Sequence, residues 1–172
     1  EKRDKSVDYI LQTAAAAKKM GAKRIVVHSG SCAKISREEA LVLAKDTIKK
    51  AVAALDAEGL SDIIICPETM GKINQLGTLS EVMELCLVDE RLLPCIDFGH
   101  LNARTLGGIK TSEDYEKILD EIENKLGHDR LKHMHCHFSK IEYTAGGEKR
   151  HLTFDDETFG PDFTPLADLL DK

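Results

Sequence analysis

Apolar residues along this chain follow two alternating rhythms. Val7, Ile10, Leu11 and Ala14 recur at the three-to-four spacing of one helix face, and Gly21 closes that stretch before the apolar run Ile25-Val26-Val27. A helix therefore feeds a strand. Ser36 stands three residues before Glu39 as a capping box, and Leu43, Ile48, Val52 and Leu55 carry an apolar stripe to the stop at Gly59. The strand Ile63-Ile64-Ile65-Cys66 follows. Thr78 and Glu81 repeat the capping pattern for a helix through Val82, Leu85 and Cys86, and residues 92–96 read as a third strand. Ser112 opens a helix with Tyr115, Ile118, Leu119 and Ile122 on one face, ended by Gly127, and residues 131–138 read as the fourth strand. Residues 142–161, with Gly146-Gly147 and the acidic run Asp155-Asp156-Glu157, read as a long loop. Thr164-Pro165, a cap residue before a first-turn proline, starts a last helix through Leu166, Leu169 and Leu170.

Strands that alternate with helices pair in parallel, and near-continuous apolar strands are buried on both faces, so the class is α/β. A parallel (β/α) barrel of TIM type and a doubly wound sheet both satisfy the pattern. Four strands are clear, whereas a full barrel has eight and runs to about 250 residues. On the barrel reading, residues 1–172 are a single domain and a fragment of a full (β/α)8 barrel, without its N-terminal and C-terminal units.

Four successive strands end in residues that are costly to bury alone and well suited to a metal: His28, Glu68, Asp97 with His100, and His135 with His137. The carboxyl ends of parallel barrel strands converge on one mouth, which makes such residues neighbours in space. Imidazole with carboxylate suits zinc, manganese or iron in a catalytic rather than a structural site. Taken singly, each residue also has a plainer role: His28 a loop histidine, Glu68 a loop cap, Asp97 a helix N-cap. Recurrence at four strand ends favours the metal. His133, His135 and His137 share one side of the fourth strand by its period of two, with His133 deepest and expected to be buried and hydrogen-bonded. His128, just past Gly127, is expected at the surface, and Cys66, Cys95 and Cys136 read as small buried apolar side chains.

Composition changes this picture in two ways. A net charge of -6, no tryptophan and 5% aromatic residues exclude a protein held on nucleic acid mainly by basic patches or stacked rings, so any phosphate chemistry must come from bound cations. Five cysteines without a C-x-x-C pair indicate neither a disulfide framework nor a zinc ribbon and suit a reducing cytoplasm. No apolar run approaches the ~20 residues of a membrane span, and the first residues do not read as a signal peptide.

Four strings together resemble endonuclease IV: His28-Ser29-Gly30-Ser31, Pro67-Glu68-Thr69, Ile96-Asp97-Phe98-Gly99-His100, and His133 through Lys140. The resemblance implies a metal-dependent apurinic/apyrimidinic endonuclease acting on DNA with abasic sites, a catalytic bridging Glu68, and two or three zinc ions. Metal ligands would be His28, Glu68, Asp97, His100, His135 and His151. Three departures stand out. Lys149 occupies the place of the aspartate in the family's Asp-x-His pair, with neighbouring Glu148 as a carboxylate that could reach the same metal. His137 and Phe138 replace the Asn and Asp of its H-x-N-D-x-K string, and the family's remaining metal ligands would lie before Glu1 and beyond Lys172. The chain alone is therefore expected to be inactive. A sugar isomerase or epimerase of the xylose-isomerase-like superfamily, with one cation at the same mouth, is the alternative, and a non-catalytic metal-binding barrel a second.

Overall fold

The computed structural model of the protein describes residues 2–32 and 34–170; Glu1 and Lys172, the bounds of the expected domain, lie outside them. Four short parallel strands form its wall: β1 (Arg24–Val27), β2 (Ile64–Pro67), β3 (Cys95–Asp97) and β4 (His135–His137). β1 pairs with β2 from Arg24 and Ile64 to Val27 and Pro67, and β3 with β4 from Cys95 and His135 to Asp97 and His137. A parallel bridge between Glu68 and Cys95 joins the pairs, the Thr69 N–H donating to the Cys95 carbonyl at 3.0 Å. The strand order is thus sequential, as in the wall of a partial TIM-type barrel.

Helices α1 (Lys2–Lys19), α2 (Arg37–Ala57), α3 (Leu79–Cys86), α4 (Phe98–Arg104), α5 (Ser112–Leu126) and α6 (His128–Lys132) precede or connect the strands. Alternation along each strand divides its side chains between two clusters. Ile25, Ile65 and Ile96 pack with Ile48, Leu55, Val82, Leu85 and Tyr115 from the helices, whereas Cys66, Leu93 and Cys95 form a smaller cluster with Val26 and Ile64. The second cluster belongs to the concave side that a barrel encloses. The expected caps are in place: Ser36 Oγ accepts from the Glu39 N–H at 3.1 Å, and Thr78 with Glu81 closes a reciprocal box. Among the described residues no helix is long and apolar enough to cross a membrane.

Three expectations are corrected. Residues 142–161 are not one long loop, because β5 (Lys140–Thr144) and β6 (Gly147–Leu152) form an antiparallel hairpin. Its signal is faint: Ile141 is fully buried while Glu148, Lys149, Arg150 and His151 give no apolar alternation, and Gly147 supplies the positive φ of 88° at the turn. The fourth strand is shorter than residues 131–138, since α6 occupies its first part. His133 caps that helix and is exposed, with Nδ1 2.8 Å from the Asp129 carbonyl, rather than buried deepest. Cys136 is exposed rather than buried, because it lies on β4, the last strand in the order, whose outer edge no described strand covers. A smaller shift affects the last helix, α7 (Thr164–Ala167), which has Phe163 at its N-cap and Thr164 already inside it.

Candidate metal centre

Glu68 follows the last residue of β2 and is 3% exposed. Each of its oxygens meets an imidazole from another strand end: Oε2 lies 2.8 Å from His28 Nε2, and Oε1 lies 2.6 Å from His137 Nδ1. Burial works to raise its pKa, but the bonds from His28 and His137 outweigh that and hold the carboxyl below its usual range. The same bond raises His28 against its own partial burial. Glu68, Asp97 and His137 bring their ligand atoms within 4.8 Å of one another.

Asp97 ends β3 and caps α4, accepting from the His100 N–H at 2.8 Å, so one turn of helix carries both residues to the mouth. His100 is 5% exposed, and its Nδ1 lies 2.8 Å from the Thr69 carbonyl. Only an N–H can serve that carbonyl, so Nδ1 donates, which leaves Nε2 as the nitrogen available to a ligand. That nitrogen faces Glu148 Oε2 at 3.5 Å. His151 is oriented similarly, its Nδ1 2.8 Å from Ser139 Oγ and its Nε2 3.7 Å from Glu148 Oε1. Oxygen and nitrogen each about 2.1 Å from a tetrahedral ion would stand about 3.4 Å apart, close to both separations. This trio is therefore spaced for a cation, whereas the contacts of Glu68 with His28 and His137 are closed hydrogen bonds that an ion would have to part.

A β-bulge explains how Glu148 reaches the group. Glu142 opposes Arg150 and Tyr143 opposes Glu148, leaving Lys149 as the extra residue. In a regular strand, residues three apart face opposite sides; the extra residue returns Glu148 and His151 to one side. The hairpin is docked on the loop after Glu68 by the Glu148 N–H donating to the Gly71 carbonyl at 3.0 Å and the Ile73 N–H to the Gly146 carbonyl at 3.1 Å. Gly71 is required there, because a Cβ would stand 2.6 Å from Glu148 Cβ and 3.0 Å from His100 Cδ2. Arg104, in the last turn of α4, grips the same loop by donating to the carbonyls of Met70, Lys72 and Gln75 at 2.6–2.7 Å.

The structure thus brings together His28, Glu68, Asp97 and His100, and sets His151 beside His100 with ring centroids 5.2 Å apart. His135 stands apart from Glu68: it pairs with Cys95, and its ring meets His137 edge-on at 4.9 Å. Burial, the neighbouring His137 and Arg24 lower its pKa, favouring a neutral imidazole. His137, read at the strand end beside His135, and Glu148, beside Lys149, are the two donors missing from the ligand set that the resemblance implies. Lys149 and Arg150 form a surface pair, both bonded to Glu142.

Comparison with known proteins agrees with the barrel architecture. A family described as xylose isomerase-like TIM barrel matches residues 1–172. An uncharacterized protein of Methanocaldococcus jannaschii is 39% identical over 92% of this chain and 57% of its own length. A protein named probable endonuclease 4 from Staphylococcus carnosus is 30% identical over 87% of this chain and 51% of its own, and one of the same name from Bacillus subtilis is 30% identical over 78% and 44%. The chain spans about half the length of these relatives.

Proposed function

The chain belongs to the xylose isomerase-like TIM barrel family, and we propose that the intact protein carrying it is a metal-dependent hydrolase that cleaves DNA 5′ to abasic sites. The observation that carries this reading is the pair of adjoining donor groups at one mouth, Glu68 with Asp97 and His137, and His100 with Glu148 and His151. Relatives named probable endonuclease 4 support it.

The donors fit a hard-to-borderline divalent ion, with zinc first and manganese or iron as substitutes. Cations held there would supply hydroxide from bound water at neutral pH and neutralise charge developing on the phosphate oxygens. Glu68 can bridge two positions because its two oxygens point to different imidazoles. Asp97 and Glu148 add negative charge on either side of His100. His100 and His151, each fixed through Nδ1, present Nε2 without reorganising. With a net charge of -6, the protein gains its attraction for phosphate from the bound cations.

The test is incision of a duplex with a single abasic site by the zinc-loaded intact protein. Cleavage on the 5′ side, lost on chelation and restored by zinc, is the expected result; a fully loaded protein that leaves the duplex uncut would overturn the proposal.

A further inference from the structure

We infer that Cys95, His135 and His137 form a separate site for a soft or borderline d10 cation, zinc or cuprous copper, on the concave face of the wall. A buried cysteine is ordinarily a small apolar side chain, and Cys95, at 0% exposure, also packs with Cys66 and Leu93. Its neighbours on β4 change that role. Cys95 pairs with His135 in the parallel register, and Asp97 with His137, so both imidazoles flank the thiol by the period of two.

Ligand atoms of the three residues lie within 4.8 Å of one another, and Cys95 Sγ is 3.7 Å from His137 Nδ1. Bonds of about 2.3 Å to sulfur and about 2.0 Å to nitrogen at a tetrahedral angle put those atoms about 3.5 Å apart. The His135 imidazole makes no hydrogen bond to another described residue; its recorded partner is the His137 ring. Three ligands leave a fourth position for water or a further side chain. The carboxylates of Glu68 and Asp97 extend the first site toward harder ions such as manganese, whereas a thiolate with two imidazoles extends the second toward cuprous copper; zinc suits both. Binding replaces the Cys95 S–H bond with a sulfur–metal bond and releases the proton to solvent. His137 is shared, because its Nδ1 also bonds Glu68 at 2.6 Å. An ion beside Cys95 and one at the Glu68 group therefore compete for the His137 ring.

Cobalt(II) titration of the intact protein tests this inference by a signal independent of incision. Wild type is expected to develop a near-ultraviolet sulfur-to-cobalt charge-transfer band. That band is lost in Cys95→Ser and kept in Cys66→Ser, whose thiol is buried in the same cluster. His135→Gln, which leaves the thiol in place, weakens the cobalt dependence of the band at least about tenfold. Cobalt bound without a sulfur band, a band that survives Cys95→Ser, or one lost in Cys66→Ser overturns the assignment. The nuclease reading can fail while the band appears, and the band can be missing while incision proceeds, so the two failures are distinguishable.

Discussion

Glu148 and His151 are three residues apart on one strand yet present Oε1 and Nε2 to each other at 3.7 Å beside the same imidazole, His100. The unpaired Lys149 makes this possible. A carboxylate thus lies beside His100 although Lys149 stands where the endonuclease IV pattern that the chain resembles has aspartate.

Glu148→Gln keeps the size of the side chain and removes its charge. We expect the intact protein to lose one tightly bound zinc per chain while the fold is retained, read by elemental analysis after dialysis. Retention of every ion would remove Glu148 from the donor set.

Glu68→Ala should be more severe. Removing a carboxylate that engages two imidazoles is expected to lower zinc affinity by more than the roughly 100-fold cost typical of an outer-shell partner. Competition with a chromophoric chelator measures it, and wild-type affinity in the variant would count against the central role of Glu68.

Gly71→Ala tests positioning without replacing a ligand. A Cβ there meets Glu148 Cβ at 2.6 Å, so the hairpin must move or strain must build. Overpacking of this kind costs about 1–3 kcal/mol. The expected outcome is a lowered Tm and weaker binding at the His100 group, and unchanged values for both would mean that the hairpin yields freely.

Acid stability should depend on Glu81. Its burial opposes ionisation, but Arg37 and the Gly77 and Thr78 N–H groups hold its pKa at about 2 against an ordinary value of 4.5. A folded-state pKa below the unfolded one contributes stability that is full above pH 4.5 and lost as pH falls toward about 2. The contribution is on the order of 3 kcal/mol. Glu81→Gln is expected to unfold more readily in urea at neutral pH, with the difference from wild type shrinking below about pH 4.

His133→Ala now has the opposite expectation from the one its sequence position suggests. The residue is exposed at the end of a short helix, so thermal unfolding should shift by no more than about 0.5 kcal/mol.

These outcomes trace where the sequence was readable. Parallel strands, their helices and the Ser36 and Thr78 caps follow from periodic apolar positions, because a buried face imposes its period on the residues that form it. His28, Glu68, Asp97 and His100 stood out because polar residues at successive strand ends are costly without partners. The β5–β6 hairpin did not stand out, since Ile141 is its main buried anchor and the rest of its alternation is polar on both faces. His137 and Glu148 were legible only in part. One stood out as a strand-end histidine yet fell outside the ligand pattern of the resembled family, and the orientation of the other depends on a bulge that only strand pairing reveals.

Helix α4 ties these parts together, with Asp97 and His100 at its start and Arg104 gripping the loop after Glu68 at its end. Each residue of a helix turns its successor by about 100°. A one-residue insertion between His100 and Arg104 would therefore swing the guanidinium away from the carbonyls it holds, or the imidazole away from the Thr69 carbonyl and Glu148. Seven residues thus act as a fixed gauge between two halves of the mouth. Substitutions along the helix can be absorbed locally, whereas a change in its length cannot, which makes α4 the segment least open to drift by insertion or deletion.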